Sequence, residues 1–149
     1  MSKLVSNVVK KHSISSELAQ KMVDQAVAKA RELGVSENVA ILDDGGNLKA
    51  FSRMDGAPMP TIEIALNKAY TALFGVSTQE FFNFIKGDPS LLAGVPTLSR
   101  VAAWGGGVPI KVDGEIIGAI GLSGAPTVQN DEDCARAALA LVSDAVPVG

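Results

Sequence analysis

The segment Trp104-Gly-Gly-Gly-Val-Pro-Ile-Lys-Val-Asp-Gly-Glu-Ile-Ile-Gly-Ala-Ile-Gly-Leu-Ser-Gly124 limits the possible folds more than any other part of this chain. Two β-rich runs flank Asp113-Gly114, a pair suited to a type I′ hairpin turn because both central residues take positive φ. The outer glycines need a separate reason. Glycine weakens a strand through lost packing and backbone entropy, so Gly105, Gly106, Gly107, Gly118, Gly121 and Gly124 imply that something approaches the backbone closely. The approaching group is either a packed helix or bulge, or a bound ligand.

The remaining sequence supplies partners for that hairpin. Ser15 precedes a helix in which Leu18, Met22, Val23, Ala26, Val27 and Ala30 recur at helical spacing, stopping near Gly34. Asn38 to Leu42 and Leu48 to Met54 form a second hairpin around Asp43-Asp-Gly-Gly-Asn47. Thr61 opens a helix with Ile62, Ala65, Leu66, Ala69 and Leu73 on one stripe. Ser77 and Glu80 make a capping box for a short helix, Thr78 to Ile85. Residues 88–103 read as loop with at most one turn of strand. Asn130 or Asp131 is expected to cap a final helix carrying Ala135, Ala138, Leu139 and Val142. This order predicts an α+β fold, with an antiparallel or mixed sheet of about five strands built from two hairpins and covered by helices. The strands alternate poorly, so both sheet faces should be covered. One domain over 1–149 is expected, with 1–13 as an N-terminal arm and 144–149 as a flexible tail.

Composition excludes several functions. The chain has 149 residues and is 47% hydrophobic, enough for a real core and against disorder. A net charge of −3 gives no electrostatic reason to bind nucleic acid or an anionic membrane. No run is long enough for a membrane span, and the N-terminus lacks a signal-peptide core. A single cysteine, Cys134, rules out an internal disulfide framework and a cysteine-built zinc cluster, which fits a reducing cytoplasm. The mean hydropathy of +0.25 is high for a small monomer and points to a homo-oligomer, a dimer or larger.

Several residues are candidates for chemistry. Arg53 and Asp55 flank Met54 at a strand end, with side chains expected on one face. They form either a weak surface ion pair or an Arg oriented by Asp to take a ligand carboxylate. Lys68 lies among Ala65, Ala69 and Ala72; it either snorkels outward or supplies charge or proton transfer to a pocket. Ser123 is not in a nucleophile elbow, and with Gly106 and Gly107 it fits an anion-binding nest better. The run Asp131-Glu132-Asp133 reads as acids favoured by a helix dipole, and no metal site is expected.

Taken together, Asp43-Asp-Gly-Gly-Asn-Leu48 with Arg53-Met-Asp-Gly-Ala57, then Ala65-Leu-Asn-Lys-Ala69, then Gly105-Gly-Gly-Val-Pro-Ile110 with Ile117-Gly-Ala-Ile-Gly-Leu-Ser-Gly124, resemble the GlcG/HbpS family. That family includes the C-terminal domain of PduO-type corrinoid adenosyltransferases. The resemblance runs from about Ser15 to Val142. It implies an α+β fold, assembly into homodimers and higher oligomers, and haem binding in several members. PduO's corrinoid chemistry belongs to its other domain and is not carried over. Haem iron takes His, Met, Cys or Tyr, and the chain offers His12, Met54, Met59, Tyr70 and Cys134. His12, beside Lys10 and Lys11, is either a solvated arm residue or, as the resemblance implies, one that folds over a haem edge.

The function expected is a small-ligand-binding protein that holds haem or a small carboxylated metabolite beside the Gly-rich hairpin. Arg53 and Lys68 would supply charge, Asp55 orientation, and Ser123, Gly106 and Gly107 hydrogen bonds. One alternative is an isomerase- or lyase-type enzyme acting on a carboxylated intermediate, with Lys68 or Asp55 as proton carrier. The other is a structural oligomer module.

Overall fold

The computed structural model describes the backbone of residues 7–145 and the side chains of 7–142. The first six residues of the expected arm, and the expected tail apart from the backbone of 144 and 145, lie outside the described residues. Helix α1 (Ser16–Leu33) is capped by Ser15, whose side chain accepts from Leu18 N–H, and ends on Gly34 at φ 73°. Strands β1 (Asn38–Asp43) and β2 (Leu48–Arg53) form the first hairpin, followed by α2 (Thr61–Ala72) and α3 (Thr78–Ile85). The second hairpin is β3 (Gly107–Val112) and β4 (Glu115–Ser123), turned by Asp113 at φ 52° and Gly114 at φ 79°. Helix α5 (Val128–Ala145) is the last element among the described residues.

The segment expected to be a loop contains a short helix, α4 (Pro89–Gly94), running into a 3₁₀ turn, Val95–Thr97. Asp88 makes it: its carboxylate accepts from Ser90 and Leu91 N–H while Pro89 supplies a preset φ at the first helical position. Among the described residues the sheet accordingly has four antiparallel strands, in the order β2-β1-β4-β3, where about five were expected. The two hairpins supply all four. The N-terminal start of α5 also differs from expectation. Thr127 Oγ1 accepts from Asn130 N–H, so the cap lies ahead of Asn130 and Asp131, and Asp131 is left for another role.

Helices cover both sheet faces, as the poor alternation required. Val39, Ile41, Ile120 and Leu122 pack with Met22, Val23 and Ala26 of α1 and Ala135 and Ala138 of α5. Leu42 and Ala119 point the other way, onto Ala69 and Ala72 of α2. The contact between α2 and β4 explains one of the glycines directly. A Cβ on Gly121 would run into the Ala65 carbonyl oxygen and lie 2.5 Å from Ala69 N. Only glycine lets the helix backbone sit this close to the strand. None of the described helices is long and apolar enough to cross a membrane. Replacing Gly121 by Ala should therefore cost about 2 kcal/mol through overpacking, read as a drop in thermal midpoint, whereas Gly87→Ala, where an added Cβ meets nothing within 4 Å, should leave it nearly unchanged.

Candidate functional site

At the glycine end of the sheet, α2 and α5 approach from opposite faces, and three buried ionisable side chains meet. Lys68 of α2 is fully buried, and its Nζ donates to Leu122 O at 2.8 Å and to Asp131 Oδ2 at 2.9 Å. Asp131 comes from the first turn of α5 and is 4% exposed. Lys68 Nζ also lies 5.6 Å from the centre of the Trp104 ring, within cation–π range. The passage exists because Gly106 has no side chain: a Cβ there would sit 2.7 Å from Lys68 Nζ. Gly106 itself takes φ 122°, a conformation open to glycine.

The third member is Glu37, fully buried just before β1, whose Oε1 accepts from Ala125 N–H at 2.7 Å. Burial, and then the neighbouring Asp131 carboxylate, push its carboxyl up to about 9, against the opposing pull of the Ala125 N–H and the Lys68 charge. Glu37 Oε2 and Asp131 Oδ1 both lack a donor when both groups are ionised. One proton held on Glu37 satisfies both. The cluster is then a neutral acid, a carboxylate and an ammonium with no net charge, the form in which buried ions are tolerable.

The other candidate residues are spread apart. Arg53 and Asp55 line a polar hollow of about 320 Å³ with Val27, Arg31, Ser52 and Met54, on the β2 edge. Arg53 Nη1 donates to Ala57 O at 3.3 Å, and among the described residues no ion pair joins it to Asp55. Ser123 pairs across the sheet with Asn38, whose amide donates to Ser123 O at 3.2 Å. Gly106 and Gly107 border a cavity of about 350 Å³ with Ser77, Gln79, Glu80, Glu132 and Arg136. The Gly107 N–H already donates to Thr78 Oγ1 at 2.9 Å. Lys68 stands behind Gly106 and is not among the residues lining that cavity.

His12 lies at the opposite end of the hairpin. Its backbone N–H donates to Glu115 Oε1 at 2.8 Å and its Nδ1 sits 2.7 Å from Glu115 Oε2. That carboxylate holds the imidazole pKa above its ordinary value, on a fully exposed ring. Glu115 and Gly121 are six residues apart on β4, so His12 and the glycine end are separated by roughly 20 Å. Cys134 is buried, and burial followed by the nearby acids pushes its thiol up to about 12, which suits a core residue rather than a thiolate ligand. Met54 is half-buried at the rim of the hollow beside Arg53, and its sulfur accepts from Glu37 N–H.

Sequence reasoning missed Glu37 entirely and read Asp131 as a helix cap or an acid favoured by the helix dipole, where it is the buried partner of Lys68. Nothing local marks either one; Ser36-Glu37-Asn38 looks like a solvated entry to a strand. The Glu37 carboxyl binds its proton more tightly folded than unfolded, where its ordinary value is 4.5. Its contribution to stability is therefore complete below pH 4.5 and lost as the pH rises toward 9. Denaturation of the wild-type chain should show a loss of up to about 1.4 kcal/mol per pH unit across that window. Glu37→Gln, which keeps a donor toward Asp131 and an acceptor for Ala125, should flatten the profile and be the more stable protein at pH 9.

Comparisons with known proteins agree with this architecture. A family model described as haem degrading protein HbpS-like matches residues 14–140. Protein GlcG of Escherichia coli K12 is 34% identical over 111 residues, covering 74% of this chain and 81% of GlcG. The crystal structure of HbpS superposes with a TM-score of 0.84 at 29% identity, covering 91% of this chain and 94% of HbpS. A PduOC:haem complex superposes with a TM-score of 0.80 at 30% identity, covering 92% of this chain and 97% of that one. With the family model matched over residues 14–140 and GlcG 34% identical over most of its length, the chain belongs to the HbpS-like family.

Proposed function

We propose that the protein binds haem. The observation that carries this reading is the similarity to the PduOC:haem complex, which spans 97% of that chain at a TM-score of 0.80. The side chains of this chain fit such a ligand in part. Cys134 is buried, and the Met54 sulfur is taken up by Glu37 N–H. His12 is accessible, with its ring tied to Glu115 through one nitrogen. Tyr70 borders an apolar hollow with Leu73 and Phe74. When bound, haem would bring redox and oxygen chemistry; the chain's own contribution is an apolar seat, an axial donor and cations for the propionates. Titrating the purified chain with ferric haem should give a saturable Soret shift at a one-to-one ratio. A titration identical to free haem with carrier albumin omitted would overturn the reading.

A second reading, a small carboxylate ligand, is supported by the hollow at the β2 edge. Arg31 and Arg53 face it with one acid, Asp55, so it offers more positive than negative charge. The cavity beside Gly106 and Gly107 has Glu80 and Glu132 against Arg136 and suits an anion less well. A proton-transfer enzyme built on Lys68 gains no support from the geometry. That ammonium is enclosed, and its bonds go to Asp131 and Leu122. Thermal-shift screening with short keto- and hydroxy-acids should give stabilisation that Arg53→Ala abolishes without changing the unliganded midpoint; equal shifts in both proteins would remove this seat.

A further inference from the structure

Helix α3 carries more aromatic surface than its packing uses. Phe81 and Ile85 are buried, while Phe84 on the same stripe is 71% exposed. Phe74, just past α2, is 63% exposed and stacks on Phe81 with ring centres 4.9 Å apart. These rings form one wall of a groove of about 450 Å³, and Leu91 and Leu98 of the α4 segment form the other. That volume is in the range of small-molecule sites. The lining is apolar apart from one residue, Glu80.

The Glu80 carboxylate is not used by the fold. Only half of the expected capping box forms: Ser77 Oγ accepts from Glu80 N–H at 3.1 Å, but among the described residues no hydrogen bond or ion pair engages the Glu80 side chain in return. Glu80 also borders the polar cavity of about 350 Å³ beside Gly106 and Gly107, so it stands where an apolar groove meets a wet one. The second acid of that cavity, Glu132, likewise has no partner, and Gly105 makes room for it: a Cβ there would run into Glu132 Oε1. The cation of the cavity, Arg136, is mostly exposed and is turned to Asp133 Oδ1 at 3.5 Å.

An apolar trough ending on an unpaired carboxylate, in a protein of net charge −3, selects by sign as well as by shape. A hydrophobic anion would set its charge against Glu80, and a neutral chain would leave that acid without a partner. An ammonium on an apolar chain or ring satisfies both surfaces. Its body covers the exposed rings, whose faces also favour a nearby cation, and its head meets the carboxylate at the wet end. We propose that the groove between α3 and the α4 segment binds a small hydrophobic amine, with its apolar body against Phe74, Phe84 and Leu98 and its ammonium on Glu80. The site is separate from the haem reading above, whose ligand carries carboxylates that Glu80 would repel.

The test is calorimetric titration of the full chain at neutral pH with octylammonium, octanol and octanoate, which share one chain and differ in charge. Circular dichroism reads folding and elution mass reads assembly. The wild type should bind octylammonium best, octanol roughly fivefold more weakly, as the loss of one exposed ion pair dictates, and octanoate least. Glu80→Gln should bind octylammonium and octanol alike, and Glu80→Lys should reverse the order in favour of octanoate. Phe84→Ala, at an exposed position, should weaken octylammonium roughly tenfold by removing apolar contact area. No binding of octylammonium, or equal binding of all three probes, would overturn the proposal. Octylammonium binding left unchanged by both Glu80→Gln and Phe84→Ala would place the amine elsewhere and overturn it too. A drop in assembly mass for Phe84→Ala, with no amine binding by the wild type, would assign the groove to a second copy of the chain, and would equally overturn it. Should Glu80→Lys misfold, Glu80→Gln decides, since it keeps the size and shape of the side chain.

Discussion

Lys68 reaches from α2, on one face of the sheet, to Asp131 of α5, on the other, and bonds the β4 backbone at Leu122 on the way. Three layers are thereby joined at one point by a single side chain. The arrangement is costly to build, because both ions are buried, and costly to break, because either one left alone would be an uncompensated charge. Glu37 completes it by keeping a proton that an exposed glutamate would lose. Three glycines of the second hairpin follow from this. Gly106 leaves room for the ammonium, while Gly107 and Gly121 let the α2 backbone come close enough for Lys68 to reach. Of the two explanations open for these glycines from sequence, close helix packing accounts for Gly107 and Gly121 in structural detail.

Local chemistry was legible where the cause is local. Ser15, Ser77 and Gly34 cap helices because their short-range bonds or left-handed φ do the work within a few residues. Asp113-Gly114 turns a hairpin for the same kind of reason. Thr127 displaced the expected cap of α5 because two competing oxygens stood nearby, and sequence alone cannot say which one tertiary packing leaves free. The α4 helix escaped notice because six residues carry too little periodicity, although Asp88-Pro89 was a usable start signal.

The candidate site was legible only in pieces. Arg53, Lys68, Ser123 and Gly106 all belong to the same end of the sheet, which the hairpin pairing makes inevitable: Arg53 and Ser123 both sit opposite Asn38. Sharing an end is not sharing a pocket. Arg53 is on one edge strand and Gly107 on the other, with β1 and β4 between them. The aromatic groove, by contrast, uses residues that look like ordinary core in a helical stripe. Their exposure depends on where α3 and the α4 segment lie, a property no window of sequence contains.

The central pairing of β1 with β4 also governs how the chain assembles during synthesis. Asn38 and Ser123 are 85 residues apart, and the first hairpin emerges from the ribosome long before its neighbour in the sheet exists. Until β4 and α5 arrive, Glu37 and Lys68 have no Asp131 to meet and Val39 and Ile41 have no Ile120 or Leu122 beside them. Contacts this distant in sequence form slowly and leave the early half unprotected while they do. Helix α5 therefore supplies the ion that Lys68 lacks until it is made, and a chain stalled before it carries an uncompensated charge at its centre.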